Sequence, residues 1–224
     1  MINNNKSESL SGEKEYIFFL EFLNFLEVFI HTVLYVRNVY PKEAFFPLKE
    51  YELSFLKYIP DLEIIDYINN FLSSLEILLR ENCINKISIL IINKTTNEII
   101  EIFDIEFKIN LIFFSNKNEE EYFFSIKNSF QSVLYDFYFK FINIKENVTK
   151  INKIFNLCIE TKKEGSIINS KSIYNNMQNV IINKYIHNLI LNNFLSLSEH
   201  KKCTTSIIEE DNFKLLIEHL INNN

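Results

Sequence analysis

The groups in this 224-residue chain that could ligate a metal or move a proton are 4 His, 3 Cys and 29 Asp or Glu. Their spacing assembles nothing. His200 and Cys203 could form half of a metal pair, but two ligands do not make a site. His187 and His219 have no metal spacing with any Cys. His31 falls on the polar stripe of an apolar segment, where a surface or internally satisfied histidine is expected. Glu119, Glu120 and Glu121 read as the solvated start of a helix. The sequence holds no GxGxxG, P-loop, HExxH or GxSxG motif and no visible nucleophile–base pair. No catalytic, cofactor or metal residue is assigned, so a binding protein is expected rather than an enzyme.

Composition narrows the class. The net charge is −6, which argues against a nucleic-acid-binding surface. Hydrophobic residues make up 47%, ample for a core. With only 2 Gly and 3 Pro, flexible linkers and phosphate-cradling loops are excluded. Heavy use of Asn, Ile and Lys reads as codon bias, which lowers the meaning of any single Asn. The 3 Cys are far apart, as for reduced thiols in the cytoplasm or nucleus. Residues 1–12 are polar, without the core of a signal peptide, and are expected to be flexible.

The dominant element is residues 16–41, YIFFLEFLNFLEVFIHTVLYVRNVYP, which read as one long helix stopped at Pro41. Phe18, Phe22, Phe25, Phe29, Val33 and Val36 form one apolar row, and Phe19, Leu23, Leu26, Ile30 and Leu34 a second. Glu21, Asn24, Glu27 and His31 form a narrow polar stripe. The stretch is long enough to span a membrane. Its two acids would each cost roughly 2.5 to 3.5 kcal/mol near a bilayer centre, so it is read as a buried core helix and no membrane is expected.

A short hairpin is expected over 45–58 and a helix over 61–82, with Leu62, Ile65, Ile68, Leu72, Leu75 and Leu79 on its buried face. Residues 86–93, KISILIIN, read as a central strand. Residues 94–98 are a turn, and 99–107 a second strand with Phe103, Ile105 and Phe107 on one face and Asp104 and Glu106 on the other. A helix over 119–143 follows, with Phe123, Ile126, Phe130, Leu134, Phe137 and Phe141 buried. Residues 154–161 form a third strand: Phe155, Leu157 and Ile159 share one face, and Asn156, Cys158 and Glu160 the less buried one, as at a sheet edge. Residues 162–176 read as loop; 177–191 and 214–220 fit helix or strand.

LEVFIHTVLYVRNVYP resembles the first helix of HORMA-domain proteins. It is most similar to the branch that serves as the non-catalytic accessory subunit of DNA polymerase zeta, which carries an LEV-x-x-H-x-x-LYVR-x-VYP run. DLEIIDYINN, KISILIINK and IIEIFDIEF are similar to the same family, and DLEIIDYINN also resembles its spindle-checkpoint branch. The likeness is strong over 18–161 and thin beyond.

The resemblance implies an α+β HORMA-like fold: three main helices packed on an antiparallel sheet, with a C-terminal safety-belt segment. Residues 1–12 would be a flexible N-terminus, 13–161 the HORMA core and 162–224 the belt region, the belt itself running from about Gly165. It implies capture of a partner peptide as an added strand locked beneath the belt. The implied peptide-binding residues are Tyr67, Phe155, Asn156, Leu157, Cys158 and Ile159; Leu195, Leu197, Leu215 and Ile217 would form a surface for a second partner. Leu215 and Ile217 fit ordinary core equally, and Tyr67 a half-buried helix tyrosine. The implied partners are a peptide motif of a translesion polymerase catalytic subunit, a scaffold polymerase and an AAA+ remodelling ATPase, in the nucleus and also the cytoplasm, with no direct nucleic-acid contact. A spindle-checkpoint or meiotic chromosome-axis role is the alternative. The sequence departs from the pattern in having no Trp, where relatives place a belt tryptophan; Tyr185 or Phe194 could substitute. Gln131 and Asp136 replace basic residues on a face that relatives use for pairing.

Overall fold

The computed structural model describes residues 4–109, 119–143, 152–161, 201–210 and 213–221. Their order is α1 (Asn4–Val36), a 3-10 turn (Lys42–Ala44), β1 (Phe46–Pro47), β2 (Lys57–Tyr58), α2 (Leu62–Arg80), β3 (Ile84–Asn93), β4 (Ile99–Ile109), α3 (Glu119–Phe141), β5 (Lys153–Thr161), β6 (Lys201–Glu210) and β7 (Phe213–Ile221). The expected α+β class is observed. β1 and β2 form a two-stranded antiparallel ribbon, and the larger sheet has the order β5-β3-β4-β7-β6. The chain divides into two compact units, one around α1, the ribbon and α3, the other around α2, β3, β5 and most of β4 and β7.

The first unit is held by phenylalanine. Every residue of the first apolar row on α1 is buried, as are Phe19, Leu26, Ile30 and Leu34 of the second. Phe25 stacks on Phe130 of α3 at 4.4 Å between centroids, and Phe29 meets Phe137 edge-on at 4.6 Å. Tyr16–Val36 is long and apolar enough to cross a membrane, but 67% of that window is buried inside the protein. Two expectations change at the ends of these helices. α1 starts at Asn4 rather than near Tyr16, so polar residues from 4 onward continue the helix. On α3, Phe123 is exposed and Val133 joins the buried face instead.

α1 also ends before Pro41. Asn38 adopts the left-handed conformation (φ 48°), its N–H bonds Tyr35 O at 3.2 Å, and Val39 N–H bonds Leu34 O at 3.0 Å. This is a Schellman stop, with Val39 and Leu34 both buried as its hydrophobic contact. α2 ends the same way: Asn82 has φ 51° and Cys83 N–H reaches Leu78 O at 3.1 Å. Asn97 (φ 59°) serves the β3–β4 turn. Individual asparagines therefore carry more meaning than codon bias suggests, for they fill left-handed positions that glycine usually takes.

The polar stripe of α1 does not face water. His31 is buried, and Glu21, Asn24 and Glu27 are half-buried. They lie beneath the segment that carries Glu50, Tyr51 and Tyr58. Burial and the Glu50 carboxylate hold Glu27 above the usual carboxylate range. Burial, then the Glu21 and Glu50 carboxylates, pushes the Tyr51 phenol up. Tyr51 and Glu52 are themselves left-handed, a strain of order 1 kcal/mol each. Gln131 Nε2 of α3 donates to Tyr51 O at 2.8 Å and helps to fix that turn. His31 stands edge-on to Tyr58 at 6.3 Å, and its Nδ1 has no hydrogen-bond partner among the described residues. Burial alone lowers its pKa to about 4.

The second unit is a sheet with α2 on one face. Asp61 caps α2, accepting from Glu63 N at 3.0 Å and Ile64 N at 3.2 Å. The buried face of α2 is Ile68, Phe71, Leu72, Leu75, Leu78 and Leu79. Leu62 is exposed, contrary to expectation, because this face begins more than a turn into the helix. β3 is interior to the sheet, as its apolar run predicts, antiparallel to β4 on one side and to β5 on the other.

Two outcomes follow. Phe130→Ala should lower unfolding free energy by about 3 to 5 kcal/mol, seen as a fall in the denaturation midpoint at unchanged slope. His31 is neutral in the folded chain and titrates near 6.5 when unfolded. Its stabilising contribution is therefore complete above pH 6.5 and is lost as pH falls toward 4. Denaturant titrations should show about 2 kcal/mol less from this residue at pH 5 than at pH 7.5. Glu27 acts oppositely, favouring the folded state as it protonates, so the comparison is made against His31→Gln, whose curve should be flatter.

Candidate functional site

β5 has β3 on one side and, among the described residues, no strand on the other. The pairing runs without a break from Lys86↔Glu160 to Asn93↔Lys153; a bulge falls only between Ile84 and Lys86. Phe155 and Leu157 are buried, and Ile159 is half-buried. Asn156 and Cys158 are half-buried on the opposite face. Among the described residues the expected edge position is thus observed, and so is the face alternation.

Tyr67 joins this edge. It projects from α2, its ring meets Phe155 edge-on at 5.5 Å, and its Oη accepts a hydrogen bond from Leu157 N–H at 3.0 Å. Burial raises the phenol's pKa, and the nearby Cys158 adds to this; the Leu157 bond opposes the shift. The hydroxyl therefore keeps its own proton as a donor at neutral pH. The structure thus brings Tyr67, Phe155 and Leu157 together, with Asn156, Cys158 and Ile159 on the same strand.

The face of β5 that carries Cys158 and Glu160 is linked to a charged network that the sequence reading missed. Lys86 Nζ lies 3.0 Å from Asp104 Oδ2 and 3.5 Å from Glu160 Oε2. Ser88 Oγ donates to Asp104 Oδ1 at 2.6 Å, and Asn85 Nδ2 to Glu160 Oε1 at 2.6 Å. Burial works against the Lys86 charge, but the two carboxylates outweigh it and hold its pKa above the usual lysine value. Asp104, on the face opposite Phe103 and Ile105, is buried, and Lys86 and Ser88 satisfy it. Burial, reinforced by Asp104, pushes the Cys158 thiol up to about 12, so it is not a nucleophile at neutral pH. Among the described residues no group of three His, Cys, Asp or Glu could hold a metal.

The C-terminal strand is fixed by a second pair. His219 Nε2 of β7 lies 2.9 Å from Glu101 Oε2 of β4, with the two side chains 2% and 4% exposed. The imidazole stacks on Phe103 at 4.5 Å with planes 6° apart. Leu215 and Ile217, expected to offer a second-partner surface, are fully buried. They alternate inward on β7 and are core in this arrangement, the other reading that the sequence allowed. Leu195 and Leu197 lie outside the described residues, as do Tyr185, His187, Phe194 and His200.

No family model matches this chain. The curated relatives it resembles include the mitotic spindle assembly checkpoint protein MAD2A of Homo sapiens, 37% identical over 79 residues, which are 34% of this chain and 38% of that protein. The mitotic spindle checkpoint component MAD2 of Saccharomyces cerevisiae is 36% identical over 77 residues, 39% of its length. The matches thus span well under half of each relative. Solved structures align far more widely. A chain of the mitotic checkpoint complex matches with a TM-score of 0.65 at 15% identity, covering 91% of this chain and 97% of that one. This chain has the HORMA fold. C. elegans HTP-2 bound to the HIM-3 closure motif matches at 0.57 and 11% identity, over 91% of this chain and 89% of that one. The HORMA expectation for the fold is therefore met across the described elements, including the C-terminal strands that the sequence left ambiguous.

His219→Ala removes a hydrogen bond to a buried carboxylate and should lower stability by about 2 to 3 kcal/mol. Hydrogen exchange should localise the loss to β7 and β4; uniform protection at wild-type levels would contradict this anchor.

Proposed function

We propose that this protein is a non-catalytic adaptor that captures a peptide of a partner protein as a strand added to the β5 edge. The observation that carries this is the β5 edge itself, a nine-residue strand that is paired to β3 and faces no other described strand. Added strands gain affinity from main-chain hydrogen bonds and selectivity from side-chain pockets. The HORMA fold supports the reading, because a solved structure of that fold holds a closure motif. In this proposal residues 162–224 act as the belt over the captured peptide, and Tyr67, Phe155, Asn156, Leu157, Cys158 and Ile159 meet it. A second partner would use residues around Leu195 and Leu197.

The setting supported by the curated relatives is a spindle checkpoint. The run VLYVRNVYP favours a second setting, the accessory subunit of translesion polymerase zeta, with a polymerase subunit supplying the peptide and an AAA+ ATPase remodelling the belt. Both settings place the protein in the nucleus and cytoplasm. Affinity purification of the tagged full chain separates them. Checkpoint or chromosome-axis proteins would support the first, and a large B-family polymerase subunit recovered from damaged cells the second.

Ile159→Pro tests the edge directly. Counting by twos from Leu157, the Ile159 N–H points away from β3, so proline there removes an outward donor and spares the β3 ladder. The variant should fold with a melting curve close to wild type yet lose the co-purifying partner. A folded variant that retains its partner would sink capture at this edge.

A further inference from the structure

A residue in an antiparallel ladder turns its N–H and C=O to the same side, and the side alternates along the strand. Leu157 gives its N–H to Tyr67 and not to β3. Phe155, Leu157 and Ile159 therefore turn their main-chain groups away from β3, toward the side where a captured strand would lie. Tyr67 Oη stands 3.0 Å from Leu157 N, the separation expected of the carbonyl oxygen of an added strand. One oxygen fits that position. The phenol ring rests against Phe155, but Tyr67 is 40% exposed, so its side chain has room to swing outward.

We infer that Tyr67 is a gate on the β5 edge: its hydroxyl occupies the place of the partner's carbonyl at Leu157 and must leave before a peptide strand can pair through that residue. This rests on the strand-capture reading above and adds how the same edge is guarded. An uncovered sheet edge pairs with any strand it meets. Tyr67 satisfies the donor in the middle of β5 from within the chain. A partner that supplies a carbonyl there exchanges one acceptor for another and gains little at that rung. Discrimination then shifts to its side chains.

The sign of the effect follows from the cycle. In Tyr67→Phe the free protein loses the Leu157 bond while the ring contact with Phe155 remains. The complex loses nothing, because the hydroxyl had already left the edge. Removing the hydroxyl should therefore tighten binding, whereas removing an ordinary contact residue weakens it.

The probe is a peptide selected on the wild-type full chain from a displayed library of random sequences. Its affinity is measured by calorimetry on wild type and Tyr67→Phe, and exchange of the Leu157 amide is followed by NMR in both proteins without peptide. Expected are faster Leu157 exchange in the variant and binding tighter by roughly two- to tenfold. Weaker or equal binding by Tyr67→Phe would overturn the gate, since the hydroxyl would then be a contact of the complex or irrelevant to it. Unchanged Leu157 exchange would overturn it at the free edge. If no peptide can be selected on either protein while Leu157 exchanges as expected, strand capture itself fails and Tyr67 is only a structural cap.

Discussion

A strand that pairs with one described neighbour only turns alternate main-chain donors and acceptors away from that neighbour, and in this protein that strand, β5, is otherwise fully anchored. β5 is tied to β3 through a register unbroken from Lys86 to Asn93, to α2 through Phe155 and Tyr67, and to the Lys86 network through Glu160. Its side chains are committed to these neighbours, and on its outward side the Leu157 N–H is given to Tyr67. A mobile strand with the same exposed groups would lose much of the gain from pairing to the entropy of ordering. Here the ordering is already done by the neighbours, so on the proposed reading a captured strand meets an edge that is already in place.

The run VLYVRNVYP carries the most specific sequence likeness in the chain, and the structure gives nearly every residue in it a mechanical role. Val33, Leu34, Val36 and Val39 are buried. Tyr35 meets Phe45 edge-on at 5.2 Å, and Lys42 Nζ lies 5.5 Å from its ring. Arg37 is buried with its guanidinium 5.9 Å from the Phe141 ring. Asn38 makes the left-handed stop, and Pro41 caps the 3-10 turn. A run that builds a helix terminus is informative about fold and weakly informative about partner. That is why a likeness to one HORMA branch in this run coexists with curated matches to another.

Elements with a strong period were legible from residues alone. α2, β3, β4, α3 and β5 lie within two residues of where apolar spacing put them, because burial of one face dictates those periods. What failed to show was pairing between elements distant in sequence. Nothing local says that Glu101 meets His219, that Asp104 is matched by Lys86, or that the polar stripe of α1 is covered by the segment around Tyr51. Each of these looks like a solvated charge until the partner is known. A peptide contact at Tyr67 was implied only by family likeness; its bond to Leu157 spans ninety residues of sequence and leaves no periodic trace.

The two sides of β5 differ in chemistry, and this bears on what kind of strand could be selected there. Side chains of an added strand would alternate between them. On the α2 side their neighbours are Phe155 and Leu157 under Tyr67, an apolar and aromatic surface that favours large apolar residues. On the other side they meet Asn156, Cys158 and Glu160, where Lys86 is the single cation between two carboxylates. That side carries an acid in excess among its described members, so a basic residue gains there and an acidic one is repelled. Main-chain pairing is indifferent to sequence, and with Tyr67 as the proposed gate its net gain at the central rung is smaller still. Selectivity on the proposed reading therefore comes from this alternation of apolar and basic positions, and its basic half weakens with salt as a partly exposed ion pair must.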